Sequence, residues 1–78
     1  MHRWVLESFG KGSSQFVDRR PLNGLDDDEV MRLLELTDLG YADLFDVPDA
    51  ALEELGRRYG IAIDGGAYDY LLGREATS

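Results

Sequence analysis

The sequence predicts an α+β domain, a small β-β-α-α-β unit in which an antiparallel sheet of about three strands is packed by two helices. Three observations lead to that class. Residues 3–9 and 15–22 are short runs rich in aromatic and β-branched residues, separated by Gly10-Lys11-Gly12-Ser13-Ser14, which is the pattern of a hairpin. Two middle stretches place apolar residues at helical spacing behind helix-start signals. Residues 67–73 then alternate, with Tyr68, Tyr70 and Leu72 on one face and Asp69 and Leu71 on the other, as a strand does. At 78 residues the chain is expected to be one domain, 1–78, too short to hold a cofactor domain beside a substrate domain. Its 44% hydrophobic content and eight aromatic residues are enough to build a core, worth ~3–5 kcal/mol net at this size.

In the first run Trp4 and Leu6 fall on one face and Val5 and Phe9 on the other, so this strand is expected to be covered on both sides for part of its length. Pro21 ends the second run because it has no N–H for a ladder. Asn23-Gly24 marks a turn. Asp26 follows as an N-cap, with Glu29 as its capping-box partner and Leu25 and Val30 as a hydrophobic staple. The helix they open covers about 27–38, with Val30, Leu33, Leu34 and Thr37 on its apolar face, Asp28, Arg32 and Glu35 on its polar face, and Gly40 as the stop. Residues 41–46 read as an irregular turn pinned by its aromatics. Pro48, Asp49 in the first turn, the apolar positions Ala51, Leu52, Leu55 and Tyr59, and the closing Gly60 predict a second helix over about 48–59. Glu53 with Arg57 and Glu54 with Arg58 are i,i+4 pairs in the favourable order. Residues 61–63 read as a brief strand or a tucked-in connection, 64–66 as a turn and 74–78 as a frayed tail.

Sixteen acidic residues against eight basic give a net charge of −8, unevenly placed. Residues 26–54 hold eleven carboxylates and one base, Arg32, for −10, while the remainder of the chain is +2. Such an excess disfavours direct contact with phosphate backbones or anionic membranes. No stretch approaches the ~18 apolar residues of a membrane span, and the first residues lack the order of a signal peptide, so a cytoplasmic location is expected. The absence of cysteine excludes a disulfide framework and thiolate metal sites.

The run Asp26-Asp27-Asp28-Glu29 raises the idea of a cation site. Carboxylates in a first helical turn, however, cap free N–H groups and oppose the dipole, and consecutive helical side chains fan outward; no calcium-binding loop pattern accompanies them. No metal and no cofactor is expected. His2 reads as a solvated residue beside the terminus. Ser8, Ser13 and Ser14 lack a base, and neither a nucleophile elbow nor a phosphate-cradling loop occurs, so an enzyme is not expected. Tyr68, Asp69 and Tyr70 together with Trp4 read either as a contact cluster beside the acidic field or as core, with at least one of the two tyrosines largely buried. Arg57-Arg58 reads as a helix C-terminal pair.

The opening Arg3-Trp4-Val5-Leu6-Glu7-Ser8-Phe9 strand and the closing Tyr68-Asp69-Tyr70-Leu71-Leu72 strand resemble small uncharacterised bacterial proteins, common in actinobacteria, that begin with a Trp-containing strand and end in a Tyr-Asp-Tyr-aromatic-Leu strand. Leu71 stands where those proteins often carry another aromatic. The chain is also similar in style to the small acidic immunity proteins of toxin systems. The resemblance covers the outer thirds of the chain. It implies a β-β-α-α-β domain, agrees with an immunity role and transfers no functional residue.

The expected function is that of an acidic protein-binding domain that neutralises a basic partner, such as a nuclease toxin, by occlusion. Asp26, Asp27, Asp28, Glu35, Asp38, Asp43, Asp46 and Asp49 are the expected partner-facing carboxylates, which steer encounter while a few aromatics supply affinity. The alternatives are an accessory domain that dimerises through an exposed strand edge, its acidity serving only solubility, and a DNA mimic whose carboxylates follow phosphate spacing. The chain is expected to be a monomer or a homodimer.

Overall fold

The structure, a computed structural model, describes residues 2–76. In chain order it contains β1 (His2–Gly10), β2 (Phe16–Pro21), α1 (Asp27–Leu34), β3 (Leu44–Asp46), α2 (Asp49–Tyr59) and β4 (Tyr68–Ala76). The strands form one antiparallel sheet in the order β2-β1-β4-β3. The α+β class is as the sequence predicts, with one strand more than expected.

The centre of the sheet is the pairing of β1 with β4, which runs without interruption from His2 opposite Ala76 to Gly10 opposite Tyr68. Trp4, Leu6 and Leu72 therefore share the inner face. There they meet Val30, Leu33 and Leu34 of α1 and Ala51, Leu52 and Leu55 of α2, with Leu22, Leu25 and Leu39 closing the margins. Both helices bury most of the apolar stripe that their periodicity announced, the exception being Thr37, which lies beyond α1 and is exposed. The outer face carries no helix, yet Val5 is only 2% exposed. Gly73, opposite Val5 on β4, has no side chain, and its neighbours lean over it: a Cβ there would lie 3.1 Å from Val5 Cγ2 and 3.4 Å from Leu44 Cδ2. The second cover expected for the first strand thus comes from its own sheet.

Residues 41–46 are the main departure from expectation, because Leu44–Asp46 is an edge strand paired with Gly73, Leu72 and Leu71. Its placement depends on residues far along the chain. Phe45 packs 5.9 Å from the Trp4 ring, and the Arg74 guanidinium donates to the carbonyls of Gly40 and Ala42 at 3.0 and 2.6 Å. Those bonds also explain why residues 74–76 continue β4 instead of fraying; residues 77–78 lie outside the described residues.

Helix α1 stops at Leu34, four residues earlier than expected. Glu35 takes the left-handed conformation (φ 56°), its N–H donating to Arg32 O, while Leu36 N–H donates to Met31 O at 2.9 Å. The early turn brings Leu39 into the core. A non-glycine residue in this region costs on the order of 1 kcal/mol. Glu35→Gly is therefore expected to hold or raise the thermal midpoint and Glu35→Val to lower it, as a thermal melt would show.

Helix α2 ends as expected at a left-handed Gly60 (φ 66°). The segment 61–63 is a tucked-in connection: Ile61 N–H donates to Gly56 O at 3.0 Å, and Ile61 and Ile63 pack against the core. Gly56 makes the room for it, since a Cβ would lie 3.0 Å from both Ile61 O and Ile63 Cγ1. Gly56→Val is expected to cost about 1–3 kcal/mol as overpacking, read as a lower urea midpoint.

Candidate functional site

The four carboxylates that open α1 go to four different places. Asp26, with extended backbone, accepts from Glu29 N–H at 2.8 Å as the N-cap. Glu29 forgoes the reciprocal capping bond and instead pairs with Arg58 of α2 at 3.1 Å. Asp27 turns to the sheet, where its Oδ1 accepts from Trp4 Nε1 at 2.9 Å and lies 2.7 Å from His2 Nε2. Asp28 is exposed. His2 is thus not the solvated bystander expected, since its ring also meets the Trp4 ring edge-on at 5.9 Å.

The hydrogen bonds from His2 and then Trp4 hold the Asp27 carboxyl below its ordinary range. A group whose folded pKa is depressed stabilises the fold above its unfolded pKa, and that contribution disappears as pH falls through the folded value. Asp27→Asn keeps an acceptor for Trp4 but removes the charge. It is expected to flatten the loss of stability below about pH 4 in acid titrations followed by circular dichroism.

The remaining charges sort into two populations. Most bases are held by acids, Arg3 and Arg19 by Glu75 and Arg19 also by Glu7 across the sheet, Arg20 by Asp18 within β2, and Arg32 by Glu54 at 2.8 Å between the helices. The expected i,i+4 pairing of Glu54 with Arg58 gives way to this cross-helix bond, which draws the Glu54 pKa down. Ties between helices restrain more of the chain than a pair within one turn. The second population runs from Glu35 to Asp49. Glu35 caps α1, Asp38 accepts from Gly40 N–H at 3.1 Å, Asp43 leads into β3, Asp46 ends it on the outer face, and Asp49 opens α2. All five are exposed, and among the described residues none is in an ion pair.

Where β3 ends, an open groove of about 630 Å³ lies between Asp49 and the start of β4. Tyr68, Tyr70 and Leu71 line it together with Leu44 and Val47, and its charged groups are Asp46, Asp49 and Asp69 with one base, Lys11. The two tyrosines meet edge to face at 6.3 Å. Tyr70 Oη accepts from Asp64 N–H at 2.9 Å, which fixes that ring against the turn before β4. Both tyrosines are half-buried, and Tyr70 packs against the core. Trp4, 1% exposed, belongs wholly to the core. The constellation read from the sequence therefore splits into a core tryptophan and a tyrosine pair at the groove. Leu44 and Val47 had no signal as site residues, because their role depends on β3.

Asp26, Asp27 and Asp28 sit at the N-terminus of α1, whereas Asp43, Asp46 and Asp49 lie on and beside β3. On the groove side Asp46 and Asp49 are exposed and in no ion pair among the described residues, and Asp69 pairs with Lys11 at 3.5 Å, while Asp26 and Asp27 are engaged in holding the fold.

No helix among the described residues is long and apolar enough to cross a membrane. The chain matches no curated protein and no solved structure. Residues 3–73 match the family described as a domain of unknown function, DUF7683, a span that takes in β1 through most of β4. The chain therefore belongs to the DUF7683 family.

Proposed function

We propose that this protein is a cytoplasmic protein-binding domain of the immunity or inhibitor kind, which neutralises a basic partner such as a toxin by covering its functional surface. The observation that carries the reading is the division of charge: the bases are largely consumed by internal ion pairs, while Glu35, Asp38, Asp43, Asp46 and Asp49 stay exposed and unpaired. Exposed carboxylates without internal partners project a field that speeds encounter with lysines and arginines. The adjoining tyrosines and leucines offer the apolar contact that holds a complex once formed. Asp27 is withdrawn from the contact set, since it serves Trp4.

The test is co-expression with the protein encoded next to this one in its genome. Growth inhibition by that neighbour, relieved by this protein and not by its Asp43→Lys/Asp46→Lys/Asp49→Lys form, supports the proposal. In surface-binding kinetics the triple variant is expected to associate at least about tenfold more slowly at low salt, with a flatter salt dependence. Equal association rates for the two forms, or a neighbour that neither harms growth nor binds, would overturn it.

A further inference from the structure

The two edges of the sheet differ. On β2, Leu22 N–H donates to Trp4 O at 2.8 Å, so by alternation Asp18 and Arg20 direct their backbone groups toward β1 and positions 19 and 21 face outward. Neither offers a donor: Arg19 N–H is taken by its neighbour's Asp18 Oδ1 at 2.9 Å, and Pro21 has none. Val17 has no partner in the ladder, at the irregularity opposite Ser8 and Phe9. This edge carries the usual devices that discourage strand pairing.

On β3 the situation is the reverse. Arg74 N–H donates to Asp43 O at 2.8 Å, so Asp43 and Phe45 face β4, and Leu44 and Asp46 turn their N–H and C=O groups away from the sheet. Among the described residues no group bonds to them. The strand is the last in the sheet, and Leu44 is 50% exposed. Around these open groups stand Asp43, Asp46 and Asp49, and the bases that share their surface are engaged elsewhere, Lys11 with Asp69 and Arg74 with the carbonyls of Gly40 and Ala42.

We infer that the β3 edge receives an extended basic segment of the partner by strand addition, with the backbone of Leu44 and Asp46 supplying the hydrogen bonds and Asp43, Asp46 and Asp49 selecting lysine or arginine. This rests on the reading that the partner is a basic protein and names the way it docks. Main-chain bonds give such a complex its register, and alternate side chains its specificity. A residue opposite Leu44 meets an apolar neighbour, and one opposite Asp46 a carboxylate. A second copy of this chain is a poor occupant, since pairing two β3 edges gathers Asp43 and Asp46 of both copies and β3 itself carries no base to offset them.

The experiment uses the full chain, isotope-labelled, and a synthetic peptide of about eight residues in which lysine and valine alternate along one face, two positions apart as Asp46 and Leu44 are, with threonine between them. A matched peptide, methylated on alternate backbone nitrogens, keeps its charge and loses its outward donors. The unmodified peptide is expected to slow hydrogen exchange at the Leu44 and Asp46 amides at least about tenfold and to bind at least about tenfold more tightly than the methylated one. Leu44→Pro, which removes an outward donor, is expected to weaken it to a similar degree. Should that variant lose its native circular dichroism, the methylated peptide on the wild-type chain decides alone. Equal affinity for both peptides, abolished by Asp43→Lys/Asp46→Lys/Asp49→Lys, overturns strand addition and leaves the basic-partner reading standing. Binding indifferent to that triple substitution overturns both. Protection of the same amides without peptide, with a doubled mass in sedimentation, assigns the edge to a second copy and overturns the inference.

Discussion

Trp4→Ala is expected to leave the chain unfolded at 25 °C. Removing a large buried aromatic costs about 3–5 kcal/mol, which equals the net stability of a core of this size, ~3–5 kcal/mol. Trp4 is 1% exposed and joins distant parts of the molecule. It donates to Asp27 at the start of α1, packs on Phe45 of β3 and lies under the Arg74 guanidinium at 5.8 Å. Its loss therefore detaches a helix start, an edge strand and the far end of β4 together. Trp4→Phe keeps most of the ring volume but removes the bond to Asp27, and is expected to cost about 1–3 kcal/mol. Far-ultraviolet circular dichroism with urea titration checks both, since the only tryptophan is absent from each variant. A native midpoint in Trp4→Ala would contradict this account.

Leu72→Ala is expected to cost about 2–5 kcal/mol, while Leu71→Ala, one residue earlier, should lose less than half as much. Leu72 is fully buried on the inner face, between Leu6 on β1 and Phe45 on β3. Leu71 points to the outer face, half-buried at the groove. The comparison tests the alternation of β4 directly: equal urea midpoints for the two variants would mean that the strand is not seated as described. Because β3 pairs with β4 only from Leu44 to Asp46, hydrogen exchange at Phe45 should quicken in Leu72→Ala beyond the global loss.

Local chemistry made most of the fold readable. The Asp26 cap, the Leu25 and Val30 staple, Pro48 and Gly60 each act within a turn or two of their own position, so the helix starts and the end of α2 could be read from neighbours alone. Leu44-Phe45-Asp46 could not. Three residues show no alternation to speak of, and what makes them a strand is Leu72 across the sheet, Trp4 beneath and the Arg74 guanidinium behind. The same long-range bonds order residues 74–76. The end of α1 was hidden because Glu35 adopts a conformation usually reserved for glycine or asparagine. Counting charge located the acidic middle of the chain, but only the ion pairs separate the carboxylates that hold elements together from those left open. Asp27 illustrates the limit: nothing adjacent to it in sequence announces Trp4 or His2.

The contrast between the two sheet margins also bears on stoichiometry. Chain growth by edge-to-edge stacking needs every unit to offer two competent margins, one to accept the unit before it and one to accept the next. Here Asp18 and Pro21 close one margin while the other stays open. A strand joined at β3, as inferred above, finds no continuation at β2, and one partner for each copy is then the expected stoichiometry. The fold is in this sense a terminator, able to finish a sheet but not to propagate one.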